Sequence, residues 1–197
     1  ELARLNRAMT KTKKQLEDIR ANLAAKTGEE EAAIFDAHHM LLEDPMLVEA
    51  ITEKISQGCN AEAAVYDASE TFACMFDAMD DEYMRSRAAD VRDIRSRWIN
   101  NLLGVEMGSL SNMTQPAVVF AHDLAPSDTA QMDKAMVLAF VTAIGGRTSH
   151  SAIMARSMEI PAVVGVGDFG EVVPGDTVIV DGGTGQVIIN PQPAVLA

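Results

Sequence analysis

Leu2, Leu5, Met9, Leu16, Ile19 and Leu23 recur at spacings of three, four or seven, and Thr12 fills the one slot of that series that is not apolar. A stripe of this period is the face of an α-helix that packs lengthwise against another helix. At about 1.5 Å per residue, a helix of about 25 residues reaches nearly 40 Å, long for a small globular domain. The stripe therefore commits the start of the chain to a helical unit.

The segments that follow continue the pattern. Thr27-Gly28-Glu29-Glu30 has the form of a capping box, with Thr27 capping and Glu30 reaching back. It predicts a second helix carrying Ile34, Phe35, His38, Met40, Leu41 and Leu42. Asp44-Pro45 supplies a cap and a first-turn proline for a third, with Leu47, Val48, Ile51 and Ile55 as its face and Gly58 as its end. Asn60 caps a fourth helix through Val65, Ala68, Phe72, Met75 and Met79. Asp80 or Asp81 opens a fifth, along Met84, Ala88, Val91, Ile94, Trp98 and Leu102 to Gly104.

After Gly108 the texture changes to short β-branched runs divided by turn signals. Residues 117–120, 137–142, 162–164, 177–180 and 186–189 read as strands, and Gly182-Gly183 between the last two reads as a hairpin. Helical segments fit at about 127–135 and 149–158. The expectation is a two-domain chain: an α-helical bundle or hairpin subdomain over residues 1–108, and an α/β subdomain over 109–197.

Charge narrows the partners. Sixteen Lys and Arg against 29 Asp and Glu leave a formal charge of −13, which repels nucleic acid and anionic membranes and favours a partner with a basic face. Five arginines lie between Arg85 and Arg97, but Asp81 with Arg85 and Asp93 with Arg97 have the spacing of helix-surface pairs. Cys59 and Cys74 belong to no zinc-spaced cluster and read as reduced helix residues of a cytoplasmic protein. No apolar run approaches the roughly 18 residues that a membrane span needs, and no signal peptide is visible. The chain opens at Glu1 already in helical pattern, so a piece of a longer protein is expected.

The chemistry is expected between Gly145 and Gly165. Gly145 and Gly146 let a loop approach a ligand closely, Arg147 can take phosphate oxygens, Thr148 and Ser149 add hydroxyls, and His150 stands where the loop turns into a helix. No second histidine or carboxylate lies at metal-ligand spacing, and no G-x-S-x-G elbow marks a hydrolase. What remains is an anion site beside an imidazole. Such a ring can attack phosphorus with one nitrogen if a hydrogen bond holds the other, or it can simply bind the anion or serve the fold.

The stretch Gly145-Gly-Arg-Thr-Ser-His-x-x-Ile-Met-Ala-Arg-x-x-x-Ile-Pro-Ala-Val-Val-Gly165 resembles the phosphohistidine stretch of enzyme I of the bacterial phosphoenolpyruvate-dependent sugar phosphotransferase system. Pyruvate phosphate dikinase and phosphoenolpyruvate synthase carry related stretches on a similar swivelling domain. The run from Phe35 to Leu47, Asp80-Asp-Glu-Tyr83, Arg87 to Ile94 and Leu124 to Gln131 resemble enzyme I more specifically.

The resemblance implies that His150 accepts a phosphoryl group and passes it to a histidine of the carrier protein HPr, that Thr129 orients the imidazole, and that Arg147 clamps the phosphate. It places the HPr-binding surface on the helices bearing His38, Met40, Leu41, Asp44, Leu47, Met84 and Arg87. Some of these are expected to be bundle core, and His38-His39 is expected to be structural rather than a relay. The resemblance also assigns phosphoenolpyruvate and Mg²⁺ to a further, C-terminal domain, so no metal or cofactor is expected within these residues. An opening strand of the α/β half should precede Glu1. Two readings stand beside this one: a dikinase-type swivelling domain fed by a nucleotide-binding domain, and a module that binds a partner without chemistry.

Overall fold

The opening stripe forms α1, Leu2–Thr27, in a computed structural model that describes residues 1–105, 110, 113–147 and 149–196. The chain divides into two compact units, Glu1–Gly108 and Ser109–Ala197. In the first, α1 buries Leu5, Ala8, Thr12, Leu16, Ile19 and Leu23 against α6, Glu82–Leu103, which offers Ala88, Val91, Ile94 and Trp98. Ala8 thus joins the seam, whereas Leu2 is exposed. Thr12 is tolerated there because Asn101 donates to its hydroxyl at 2.9 Å and to the Gln15 amide oxygen at 2.8 Å. Left unsatisfied, a buried hydroxyl costs about 1–3 kcal/mol.

The expected capping box at Thr27 does not form. Thr27 is the last residue of α1 and donates its hydroxyl back to the Leu23 carbonyl at 3.1 Å, a bond open to any threonine inside a helix. Gly28, at φ 114°, turns the chain into the short α2, Glu29–Ala32, which has no side-chain cap. After Ala33 comes α3, Ile34–Leu42, and the second expected helix is therefore split.

The other caps are formed as the sequence indicates. Asp44 accepts from the Met46 and Leu47 amides at the head of α4, Pro45–Ser56. Asn60 accepts from Ala63 at the head of α5, Ala61–Asp77, and Asp81 from Met84 at the head of α6. Gly104, at φ 68°, closes α6.

Helix α5 lies along α6 through small residues, burying Ala61, Ala64, Val65, Ala68, Ser69 and Ala73. Met75, expected on that face, is exposed, and Phe72, Ala73 and Phe76 take the packed position at that end of the helix. Glu70 of α5 accepts from Arg92 at 2.9 Å and from Arg95, and Arg92 also reaches Asp77 at 2.7 Å. The arginine-rich helix thus spends its charge within the bundle. The expected Asp81–Arg85 pair is replaced: Asp81 caps the helix, and Arg85 donates to the Met79 and Asp80 carbonyls.

The second unit runs β1 Ala117–Ala121, α7 Pro126–Thr129, β2 Val137–Thr142, α8 His150–Ser157 and β3 Ala162–Val164. The three strands are parallel in the order β1-β2-β3, which puts β2 in the middle. Leu124, Met132, Val137, Phe140, Ala155 and Ile160 form the core between sheet and helices. An antiparallel hairpin follows, β4 Val178–Asp181 and β5 Gln186–Ile189, turning through Gly182 to Gly185 as the glycines indicate. The helix expected over about 127–135 is only four residues long. Past the helix end at Ala130, Asp133 takes the Ala135 amide on its carboxylate and the Met136 and Val137 amides on its carbonyl, which makes the turn into β2.

Hydrogen bonding from Arg92 and Arg95, against the opposing effect of burial, holds the Glu70 carboxyl down at about 2. A depressed folded value means the contribution is complete above the ordinary carboxylate range and fades as pH falls toward that value. Glu70→Gln is expected to lower the denaturation midpoint of the helical unit at about pH 6 and to match the parent near about pH 2, as read by urea unfolding at each pH.

Candidate functional site

In an open α/β sheet, ligands gather at the carboxyl ends of the parallel strands, where loops and helix starts converge. Here β2 ends at Thr142, and its continuation is bonded on both flanks. Ala143 and Ile144 donate to the Ala121 and His122 carbonyls at 3.1 and 3.0 Å on one side. Val166 and Gly167 donate to the Thr142 and Ala143 carbonyls at 3.2 and 2.9 Å on the other. Thr142, buried, turns its hydroxyl onto the Ile144 carbonyl at 2.7 Å.

Two glycines cross at this point. Gly145 adopts φ 115° and Gly165 φ 72°, and a Cβ on Gly165 would stand 2.6 Å from the Gly145 carbonyl oxygen. The loop before His150 is therefore fixed by a backbone-to-backbone approach that any side chain at 165 would break. Gly146 differs: its φ is not in the left-handed region, and a Cβ there would meet nothing within 4 Å.

Ser149 caps α8, taking the Ala152 amide on its hydroxyl at 3.3 Å with Ser151 Oγ 3.0 Å away. That leaves the hydroxyl expected to touch phosphate already serving the helix. His150 is the first residue of α8, half-buried, with Nε2 turned away from solvent. Thr148, the remaining hydroxyl of the expected site, lies outside the described residues.

Thr129 closes α7, which packs against α8, and it is fully buried. Its hydroxyl donates to the Pro126 carbonyl at 2.9 Å. Having one proton and two lone pairs, a hydroxyl so committed can serve an imidazole only as the acceptor of a ring N–H. Arg147 is exposed, and its side chain lines a cleft of about 800 Å³ that His150 does not line. Arg156, which the sequence reading passed over, shares that cleft and donates to the Arg147 carbonyl at 2.8 Å.

The helical residues assigned to a partner separate by burial. Met40 is 71% exposed, while Leu41, Asp44, Met84 and Arg87 are half-buried. His38 and Leu47 are buried at 0% and 2% exposure, which corrects their assignment as contact residues. His38 lies in the bundle with Nδ1 3.0 Å from the Ile34 carbonyl and Nε2 3.3 Å from Asp93. Burial opposes its charged form, but the Asp93 bond and the charges of Asp93 and Asp90 outweigh burial and raise its pKa. Arg87 bonds buried Asp90 at 2.9 Å and stacks over Tyr83 with 4.5 Å to the ring centroid. Met46 and Tyr83, at 69% and 64% exposure, are apolar groups on this unit that the sequence reading did not single out. Their positions beside the Asp44 and Asp81 caps were the available signal.

Comparison with known proteins gives this arrangement its family. Residues 1–87 match the model described as PEP-utilising enzyme, N-terminal, and residues 113–185 the model described as PEP-utilising enzyme, mobile domain. A phosphoenolpyruvate-protein phosphotransferase of Geobacillus stearothermophilus is 53% identical across the whole chain, and one of Staphylococcus carnosus is 50% identical. The chain spans about a third of their lengths, 34% and 35%. Among solved structures, an NMR solution structure of Enzyme I superposes with a TM-score of 0.79 at 46% identity, over 100% of this chain and 80% of that one. An N-terminal domain of Enzyme 1 - Nitrogen gives 0.63 at 29% identity, over 98% of this chain and 79% of that one. The α/β unit with its glycine-fixed loop and helix-opening histidine is thus the part of the chain that the mobile-domain model matches. The chain belongs to the enzyme I family.

Because Gly165 has no room for a methyl group and sits at positive φ, Gly165→Ala is expected to destabilise the α/β unit by about 1–3 kcal/mol. Amide exchange should then quicken at residues 143–147, with the helical unit unaffected; uniform protection would remove the crossing from this role.

Proposed function

We propose that His150 carries a phosphoryl group on one ring nitrogen and exchanges it with a histidine of the small phosphocarrier protein HPr. The observation that carries this reading is the placement of His150 at the start of α8, at the carboxyl end of a parallel sheet, inside the stretch matched as a mobile domain. The relatives' name, phosphoenolpyruvate-protein phosphotransferase, supports phosphoenolpyruvate as the ultimate donor in the longer proteins.

The exchange balances without an outside base. A neutral imidazole nitrogen attacks phosphorus as the nitrogen–phosphorus bond to the donor histidine breaks. The ring proton stays on the other nitrogen, which donates its hydrogen bond to the Thr129 oxygen. Thr129 therefore sets the tautomer and the ring angle. The positive end of α8 and the Arg147 guanidinium favour the dianionic group in flight. Gly145 and Gly146 keep the approach open, and Thr148 and Ser149 complete the loop, Ser149 chiefly as the cap. Transfer between two histidines then needs positioning and charge more than covalent chemistry.

Docking is assigned to the helical unit, where Met40 supplies exposed apolar surface and Leu41, Asp44, Met84 and Arg87 its half-buried border. A formal charge of −13 suits a carrier with a basic face. The residues belong in the cytoplasm on this reading, with Cys59 and Cys74 both free. No helix among the described residues is long and apolar enough to cross a membrane.

Incubation with phospho-HPr followed by mass spectrometry is expected to place one acid-labile phosphoryl group on His150, and His150→Ala to abolish it. A phosphate on another residue, or none, overturns the assignment. For the orienting bond, Thr129→Val should slow transfer by about tenfold or more with HPr affinity preserved, and Thr129→Ser should restore the rate. Parallel loss of affinity and rate in the valine variant would make Thr129 a packing residue.

A further inference from the structure

The cleft beside Arg147 lies wholly within the α/β unit, and His150 does not line it. It is lined by β3, by Ala152, Ala155 and Arg156 of α8, and by the hairpin turn from Asp181 to Gly185. That turn is seated directly on β3: a Cβ on Gly182 would lie 3.2 Å from both the amide nitrogen and the carbonyl oxygen of Ala162. The approach leaves no space for an added strand at that end, so the cleft suits a compact ligand.

Charge defines what the ligand is. Arg147 and Arg156 both line the cleft, and among the described residues neither is in an ion pair. The two carboxylates present are already engaged. Glu159 is held by Lys134 at 2.7 Å. Asp181 takes the Gly183 and Thr184 amides at 2.8 and 3.2 Å and the Thr184 hydroxyl at 2.7 Å, which together lower its pKa. The lining thus sets two arginines without ion-pair partners among the described residues beside two carboxylates that are already engaged, on a chain whose total is −13. Two guanidinium forks offer more donors than one carboxylate can accept, whereas a tetrahedral dianion has oxygens for both. The hairpin amides are spent on Asp181, so the turn contributes shape and the arginines contribute the bonds.

We propose that this cleft binds a small phosphate-type dianion through Arg156 and Arg147, separately from the imidazole of His150. Arg156 also holds the Arg147 carbonyl, and Arg147 belongs to the loop that leads to His150. An anion in the cleft therefore draws on the same arginine that serves the exchange and slows it. That kinetic consequence rests on the reading of His150 given above; the binding does not.

The test is a titration of the isotope-labelled chain with inorganic phosphate, with sulfate and acetate as dianion and monocarboxylate controls. Saturable shifts at the Gly182, Thr184 and Gly185 amides and at the Arg156 side chain are expected, with acetate inert. Arg156→Gln should weaken phosphate by at least about tenfold and Arg156→Lys should weaken it less, while His150→Ala binds as the parent does. Unchanged signals from β1 and β2 in the Arg156 variants would show that the unit is still folded. Shifts confined to the start of α8, loss of binding in His150→Ala, non-saturating shifts, or indifference to Arg156→Gln would each overturn the site.

Discussion

The distance from Gly165 to the Gly145 carbonyl leaves no place for a side chain, and much of the α/β unit is organised by that contact. The central strand of a parallel sheet must leave the sheet at its carboxyl end, and here its exit is bonded to the ends of both neighbours before the turn begins. The chain that crosses back after β3 meets the exit as bare backbone. In consequence Gly146 and Arg147 start from a fixed point rather than from the tip of a loose loop. The side chain of the first helical residue inherits that precision.

The helical unit settles its polar residues by a different route. Asp90, Asp93 and Arg97 of α6 and His38 of α3 are buried in a bundle whose interior is mostly apolar. A buried charge is tolerated only when partnered, and the Arg87–Asp90 and His38–Asp93 pairs supply partners from within α6 and from α3. Such pairs contribute modest net stability but penalise any other register of α3 against α6. The face that carries Met40 is thereby held in a single position along the bundle.

Regular elements were largely legible in the sequence because their causes are local. The caps at Asp44, Asn60 and Asp81 need only the next three residues, and the strands need only their own β-branched runs. Misreadings arose where a local signal had a competitor. Thr27 had a carbonyl four residues behind it, and Asp133 could start a turn as readily as sit in a helix. His38 reads both as part of the partner surface and as a surface or satisfied core histidine, because Asp93, which holds it, is 55 positions away. The glycine-to-histidine stretch showed an anion site, but not that the Thr129 proton is spent on Pro126 or that Arg147 and Arg156 share a cleft with the hairpin. Those facts depend on how α7, α8 and the hairpin fold onto the sheet, which spacing along the chain does not encode.

Gly146 stands apart from its neighbour. Gly145 is required by its own dihedral angles, but the fold asks nothing of residue 146 that alanine could not provide. A position whose smallness is unused by the resting protein reserves volume for something that arrives. The space beside its Cα is open, four residues before the histidine, on the segment that Gly165 fixes. Its steric value is realised only during an encounter, and it would register in how closely a second molecule can come rather than in how well this one folds.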